Sequence, residues 1–394
     1  MNDINFNMLP NHLLRTLVAC IFFVSILGLM AGCKSVNAAN HQQLQQIQQK
    51  AQMAKNGVIE RKRSGGDVSE MLRLMSQVKP NIDNKDFDKA EAVLDEVLSL
   101  LETGDNPAMS SRGYSENSSD AYGSPEVVNI KGYTEDAMEP FVSRDGKYLF
   151  FNNLNDPKVN TELLYAEKID ELNYNFKGPV KGVNSSSLEG VPTLDENNKF
   201  CFVSTREFQK TRLTLFCGDF NDGEVTGLHT IGKSMVNRNG VRLNMGPELS
   251  PDGETLYYTE SVLDTKSGGI PKSLNIKIAT LNNGDYYTVS NSDDIFKNIN
   301  TDALEYAPSI SKDGLVLSFT RASELIVGNQ SSGKDLRILV STRKSPGEAF
   351  GVPEEISSIR GFVEGPTMLD NGNIIYFHKK DGSRFKIFRV TRNN

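Results

Sequence analysis

The chain has 394 residues, a formal net charge of −7 and no tryptophan. That length accommodates two or more domains, and a mildly acidic balance lacks the basic footprint that holds nucleic acid. Its only histidines are His12, His41, His229 and His378, so a zinc or manganese centre built on clustered imidazoles is not expected.

Taken in chain order, residues 1–32 read as a targeting segment. Arg15 supplies a positive start and residues 17–27 an apolar stretch, the two parts of a secretory signal. Leu29, Met30, Ala31 and Gly32 then lead into Cys33. A cysteine directly after Ala-Gly resembles a bacterial lipobox, in which the thiol is lipidated and becomes the mature N-terminus. This resemblance implies a cell-envelope protein held to a membrane by its lipid, and Lys34 after the cysteine implies the outer membrane. Asp3 and Arg15 cancel, so cleavage leaves the net charge unchanged. The basic run Arg61, Lys62 and Arg63 reads as a solvated helix end.

Residues 33–103 form a helical neck. Leu44, Ile47, Ala51, Ala54 and Val58 keep a 3-4-3-4 spacing, an apolar seam too short for a coiled coil. Val68, Met71, Leu72, Met75 and Val78 share the face of a second helix, expected to end at Pro80. Phe87, Ala90, Leu94, Val97, Leu98 and Leu101 line a third, with Gly104 placed to stop it. The pair resembles one tetratricopeptide-type hairpin, and its methionines read as core. Residues 104–124 are small, polar and aperiodic, a linker between this neck and a second domain over 125–394.

A cassette recurs five times in that second domain. Pro140, Pro192, Pro247, Pro308 and Pro366 are each followed, five and six residues on, by Asp145-Gly146, Asn197-Asn198, Asp252-Gly253, Asp313-Gly314 or Asn371-Gly372. An aromatic or β-branched run comes next, such as Tyr148 to Phe151 or Thr255 to Thr259. Such dipeptides between two strands mark hairpins whose central turn positions both favour positive φ. The proline spacings are 52, 55, 61 and 58 residues, a period that implies a β-propeller. A third strand follows each cassette and a polar fourth follows four of them. The last repeat lacks its fourth, while residues 125–130 stand before the first cassette and read as one. The N-terminal strand is therefore expected to complete the last blade beside Ile387 and Phe388, leaving no open sheet edge. The fold class is all-β, a five-bladed β-propeller behind a small helical hairpin; a six-bladed ring would need about forty more residues at the repeat period seen here.

The Pro-x-x-Ser-x-Asp-Gly pattern at Pro140, Pro247 and Pro308 resembles the repeats of TolB-type, WD-like propellers. The strands at Gly178-Pro179-Val180 and Gly351-Val352-Pro353 are similar to that family's outer strand. The second and fifth copies depart, with Asp195 and Leu369 where Ser143, Ser250 and Ser311 stand. The resemblance implies the fold; members include binding and scaffolding proteins and enzymes, so activity does not follow.

Candidate site residues lie where the inner strands begin. Glu139, Glu189, Glu305 and Glu364 precede the cassette proline and Glu248 follows it, while Arg206, Arg321 and His378-Lys379 end the second strands. A ring of carboxylates with cationic neighbours is expected at the channel mouth, with Glu139 lacking a cation because Asn152-Asn153 stands in its place. The first reading of these acids is structural, each pairing with an arginine or capping loop amides so that the repeats close; the second is a mouth that binds an envelope protein or peptide partner, through a basic group, or a divalent ion. The competing class is a glycan-active enzyme using two of these carboxylates. Nucleophile-elbow and phosphate-loop patterns are absent, and no cofactor or dedicated metal site is expected. If the loop near Gln209 is symmetric, Cys201 faces Cys217 across adjacent strands, either as a disulfide or as two buried thiols.

Overall fold

The computed structural model describes residues 68–83, 86–103 and 121–393, apart from 156–159, 237–241, 265–269 and 323–335, with isolated positions between 47 and 61. The signal segment, Cys33 and most of the linker lie outside the described residues. The chain divides into two compact units, one over residues 28–119 and one that includes residues 120–394.

In the first unit, helix α1 (Ser69–Asp83) and helix α2 (Phe87–Thr103) form a hairpin. Ile47, Ala54, Val58, Val68, Met71, Leu74, Val78, Ala90, Leu94 and Val97 are buried together; this follows the seams read from the spacing except in the second, where Leu74 is in the core and Met75 only packs against it. Lys50 joins Glu91 at 2.8 Å and Asp95 at 2.7 Å on α2. The helix does not stop at Pro80 but continues to Asp83. Proline's φ is already helical, and close to the end of the helix its missing N–H and the crowding of the carbonyl four residues earlier disturb a single hydrogen bond, so the last residues to Asp83 still wind on.

The second unit is a five-bladed β-propeller. Strands β1 (Glu126–Val127) and β2 (Asn129–Lys131) precede the first blade, β3 (Met138–Val142), β4 (Tyr148–Asn152), β5 (Leu163–Lys168) and β6 (Asn173–Pro179). The second blade is β7 (Glu189–Leu194), β8 (Lys199–Ser204), β9 (Leu215–Asn221) and β10 (Glu224–Thr230). The third is β11 (Arg242–Leu249), β12 (Thr255–Asp264), β13 (Ile270–Asn282) and β14 (Asp285–Thr288), and the fourth β15 (Leu304–Ile310), β16 (Val316–Ala322), β17 (Leu336–Thr342) and β18 (Glu354–Glu355). The fifth has β19 (Val363–Leu369), β20 (Ile374–Asp381) and β21 (Arg384–Thr391), and its fourth strand is β1. Glu126 faces Arg389 and Val127 faces Phe388, so the two termini close the ring. Strand β2, unanticipated, pairs parallel to β6 in the first blade.

Burial follows the radius of the ring. Strands β3 and β4 are buried at every position, whereas the outermost pairs β1 and β18 are exposed throughout. Between the first two blades Phe150, Phe200 and Phe220 meet with ring centroids 5.1–6.0 Å apart; such contacts contribute about 0.5–1.5 kcal/mol per pair beyond area burial.

The cassette turn is explained by its side chains. Ser143 Oγ donates to Asp145 Oδ1 at 2.6 Å and accepts the Tyr148 N–H at 2.9 Å, while Asp145 Oδ1 also accepts the Lys147 N–H. Ser250–Asp252 and Ser311–Asp313 repeat this arrangement. In the second copy Asp195 alone accepts the N–H groups of Asn197 and Lys199, so the departure from serine preserves the cap. In the Asp-Gly turns only the glycine has positive φ, for example Gly146 at 74°. The loop is longer than a two-residue hairpin, and the Gly146 N–H to Ser143 O bond closes it before the strand resumes.

Every inner strand also carries a bulge at the residue before its proline. The register slips between Met138 and Phe141, Gly190 and Thr193, Met245 and Glu248, Tyr306 and Ser309, and Glu364 and Thr367. The bulged residues Glu139, Val191, Gly246, Ala307 and Gly365 all have φ between 48° and 63°. A Cβ on Gly365 would stand 2.6 Å from Glu139 Oε2 and 3.3 Å from His378 Nδ1, whereas one on Gly246 would meet nothing nearer than 3.4 Å.

Two outcomes follow from this architecture. Gly365→Ala is expected to lose about 1–3 kcal/mol by overpacking and Gly246→Ala clearly less, as read by denaturant unfolding; equal losses would discount the clash. Deleting residues 121–130 is expected to expose β21 and produce aggregation or a broadened transition, checked by light scattering and calorimetry.

Candidate functional site

The central channel sorts the acidic residues into three levels, because they stand at different offsets from their prolines. Glu189 and Glu305 are three residues ahead, Glu364 two, Glu139 one, and Glu248 is one residue after. They are not one ring.

At the rim, Glu189 and Glu305 are fully buried clasps. Glu189 accepts from the backbone N–H and hydroxyl of Ser185, from Ser204 Oγ and from Arg206 Nη2 at 3.0 Å. Glu305 likewise accepts from the N–H and hydroxyl of Thr301 and from Arg321 Nε at 2.8 Å. Each arginine donates again to a loop carbonyl, Val183 O or Ile299 O. The third blade reverses the polarity, with Arg242 on its first strand and Glu260 on its second at 2.8 Å. A buried carboxylate with several donors and a guanidinium is a structural tie, and removing one partner leaves an uncompensated charge.

Towards the turn face, Glu248 does not belong to the mouth. Arg144, on the first Asp-Gly turn, crosses the axis and donates from Nη2 to Glu248 Oε1 at 2.7 Å and Leu249 O at 2.9 Å, and from Nη1 to Ile310 O at 2.8 Å. Thr193, Ser309 and the Ile310 N–H complete the shell of Glu248. Burial still holds the Glu248 carboxyl above its usual range, with Arg144 opposing. This pair plugs the channel floor.

Between rim and plug lie Glu139, Tyr306, Glu364 and His378, contributed by β3, β15, β19 and β20 and all nearly or wholly buried. His378 Nδ1 accepts the Glu139 N–H at 3.1 Å, so the neutral ring carries its proton on Nε2. That nitrogen stands 3.4 Å from Glu364 Oε2, and both atoms lack a hydrogen-bond partner. Tyr306 donates to Glu364 Oε1. No hydrogen bond or ion pair involves the Glu139 carboxylate among the described residues. Burial raises Glu139 to about 7, against the opposing pull of His378 and with help from Glu364. Burial raises Glu364 to about 8, opposed by its Tyr306 bond, and holds His378 below its usual value.

A small cavity beside Glu139 is walled by Val191, Gly246 and Ala307, with Thr259 and Tyr306 as its other polar neighbours. Its volume of about 10 Å³ is at the threshold for one water. Among the described residues no three His, Cys, Asp or Glu are grouped to hold a metal ion. In the second blade, Cys201 and Cys217 lie opposite each other and are joined by a disulfide, with Cα atoms 4.1 Å apart.

No family model matches the chain, and no curated protein matches it. Among solved structures it is similar to TolB from Acinetobacter baumannii, at 13% identity over 66% of this chain and 55% of that one, with a TM-score of 0.35. The chain thus spans about half of that TolB's length. It is also similar to a glycoside hydrolase at 10% identity, covering 69% of this chain and 92% of that one with a TM-score of 0.46. A family 117 glycoside hydrolase from the marine bacterium Zobellia galactanivorans gives 12% identity, 69% and 91% coverage and a TM-score of 0.43. At these identities the likeness concerns fold alone.

The buried acids have a stability signature. A carboxyl raised in the fold contributes stability that is full below its unfolded value and lost as pH climbs to the folded value. For Glu139 and Glu364 this window runs from about 4.5 to about 8. His378, held neutral, acts in the opposite direction below 6.5, so the loss is uncompensated above that pH. Unfolding free energy is expected to fall by a few kcal/mol between about pH 6.5 and 8 and then level off, and Glu364→Gln to flatten this fall. Parallel pH profiles for the two proteins would refute the assignment.

Proposed function

We propose that the chain is a lipid-anchored cell-envelope propeller, tethered through Cys33 at the outer membrane, that binds or scaffolds an envelope protein or peptide partner. The observation that carries this reading is the narrowed channel. The rim acids are committed to Arg206 and Arg321, the floor is filled by Arg144 and Glu248, and the cavity between them has room for one water-sized group. Small-molecule sites usually offer about 300–1,000 Å³, so this cavity cannot take a sugar ring, whereas a cavity of about 390 Å³ on the turn face, lined by Arg144, Asp145, Lys168, Lys312 and Asp370, reaches that size. The TolB-like repeat pattern and the lipobox-like segment before Cys33 support the same reading.

A second reading, a glycan-active enzyme, is favoured by one feature: Glu139 and Glu364 sit on adjoining blades with raised pKa values, as a general acid requires.

The readings separate in cells. Photo-crosslinking residues placed at exposed Glu207 on the loop face and Lys312 on the turn face are expected to give a discrete protein adduct from one face. Cys33→Ser is expected to abolish both lipid labelling and that adduct. No adduct from either face, with unchanged partitioning of Cys33→Ser, would overturn the proposal. Release of reducing sugar from envelope glycans, abolished by Glu139→Gln, would establish the enzyme instead.

A further inference from the structure

We propose that the axial cavity binds one primary ammonium group, held by the Glu139 carboxylate and the Thr259 hydroxyl. The inference rests on the reading of the propeller as a binding module and names the chemistry its channel would recognise.

Three observations converge on this ligand. The first is size: about 10 Å³, walled by Val191, Gly246 and Ala307, admits one water-sized group. An –NH3⁺ head matches it, whereas a planar guanidinium or a quaternary ammonium does not. The second is polarity. The Glu139 carboxylate, on a residue only 5% exposed, is unpartnered among the described residues, and Thr259 Oγ1 is fully buried with no partner. Both border the cavity. The Tyr306 hydroxyl is already committed to Glu364, so the free capacity is for accepting hydrogen bonds. Lysine-type ammonium brings three donors and no acceptor.

The third is charge. The groups packed around Glu139 are His378 from β20, Glu364 from β19, Tyr306 from β15 and Thr259 from β12. None is a permanent cation, and His378 is held towards its neutral form. An ammonium would be the missing counter-charge for a carboxylate whose ionisation burial now opposes. A divalent ion fits less well, since no metal-binding group of three acids or imidazoles exists among the described residues. The shared chemistry has two sources, a free small amine or the side chain of a partner's lysine.

The test uses the full chain at pH 8 and constant ionic strength, with calorimetric titration and thermal melts. Methylammonium chloride is expected to bind saturably and raise Tm. Tetramethylammonium, of equal charge but too large, is expected to bind at least tenfold more weakly. Glu139→Gln, which removes a buried carboxyl without changing shape, is expected to weaken methylammonium at least tenfold, and Thr259→Val severalfold. Below pH 7 the wild-type affinity is expected to fall about tenfold per pH unit as Glu139 takes up its proton. A blocked lysine tripeptide that binds alongside methylammonium, while its norleucine counterpart does not, assigns the site to a protein side chain. Methylammonium binding without peptide binding assigns it to free amines. Equal responses to the two ammonium salts, or unchanged affinity in Glu139→Gln and Thr259→Val, would overturn the proposal and leave a buried water as occupant. These measurements need no partner protein, so failed crosslinking in cells and failed ammonium binding remain separate results.

Discussion

The left-handed residue before each cassette proline is the constraint on which the channel depends. Proline keeps its predecessor out of the right-handed helical region, and a bulge lets one extra residue bend the inner strand. Five such bends recur at the same point of the five inner strands. Three of the five residues are not glycine, and Val191 is β-branched, a conformation that costs of order 1–3 kcal/mol. The surrounding blades hold these residues in place, as expected where a site is over-determined.

The bulge also decides which acids meet. Ordinary strand alternation would place residues at odd offsets on one side, yet Glu139 faces the cavity while Glu189 and Glu305 fold back onto the loops that precede them. The rim clasp has a local signature: a serine or threonine four residues before the glutamate, and an arginine two residues after a serine, or following a threonine, on the next strand. Ser185, Glu189 and Arg206 form one copy, and Thr301, Glu305 and Arg321 the other.

Blade number and ring closure were legible in the sequence because they depend on short-range turn chemistry repeated at a regular period. The register of Cys201 against Cys217 was legible because a symmetric loop sets it. The channel was less legible. Arg144 lies in a turn that looks like any other copy, and only the closed ring carries its guanidinium to the third and fourth blades. Thr259 reads as an ordinary strand residue and Tyr306 as an aromatic that could face a sugar; its bond to Glu364 spans 58 residues, and only the closed ring makes it. Two local misreadings stand beside this: the Asp-Gly turns take positive φ at the glycine alone, and Pro80, read as a helix stop, sits where the next turn needed only a compatible φ.

Ring closure has a mechanical consequence. Tension transmitted along the chain from before Tyr122 first meets the segment that seals the ring. Tyr122 is anchored by its hydroxyl on Gly372 O at 2.6 Å, and the N–H groups of Gly123 and Val128 donate to Thr391 O and Ile387 O. The antiparallel partner strand runs on to the other end of the chain, so a pull from the N-terminal side peels these bonds in sequence instead of shearing them together. The seal thus opens one bond at a time under such a pull, and it lies on the fifth blade, next to the blade interface where Glu139 meets Glu364 and His378. Such a pull enters at that seam, with the disulfide-braced second blade well removed from the line of load.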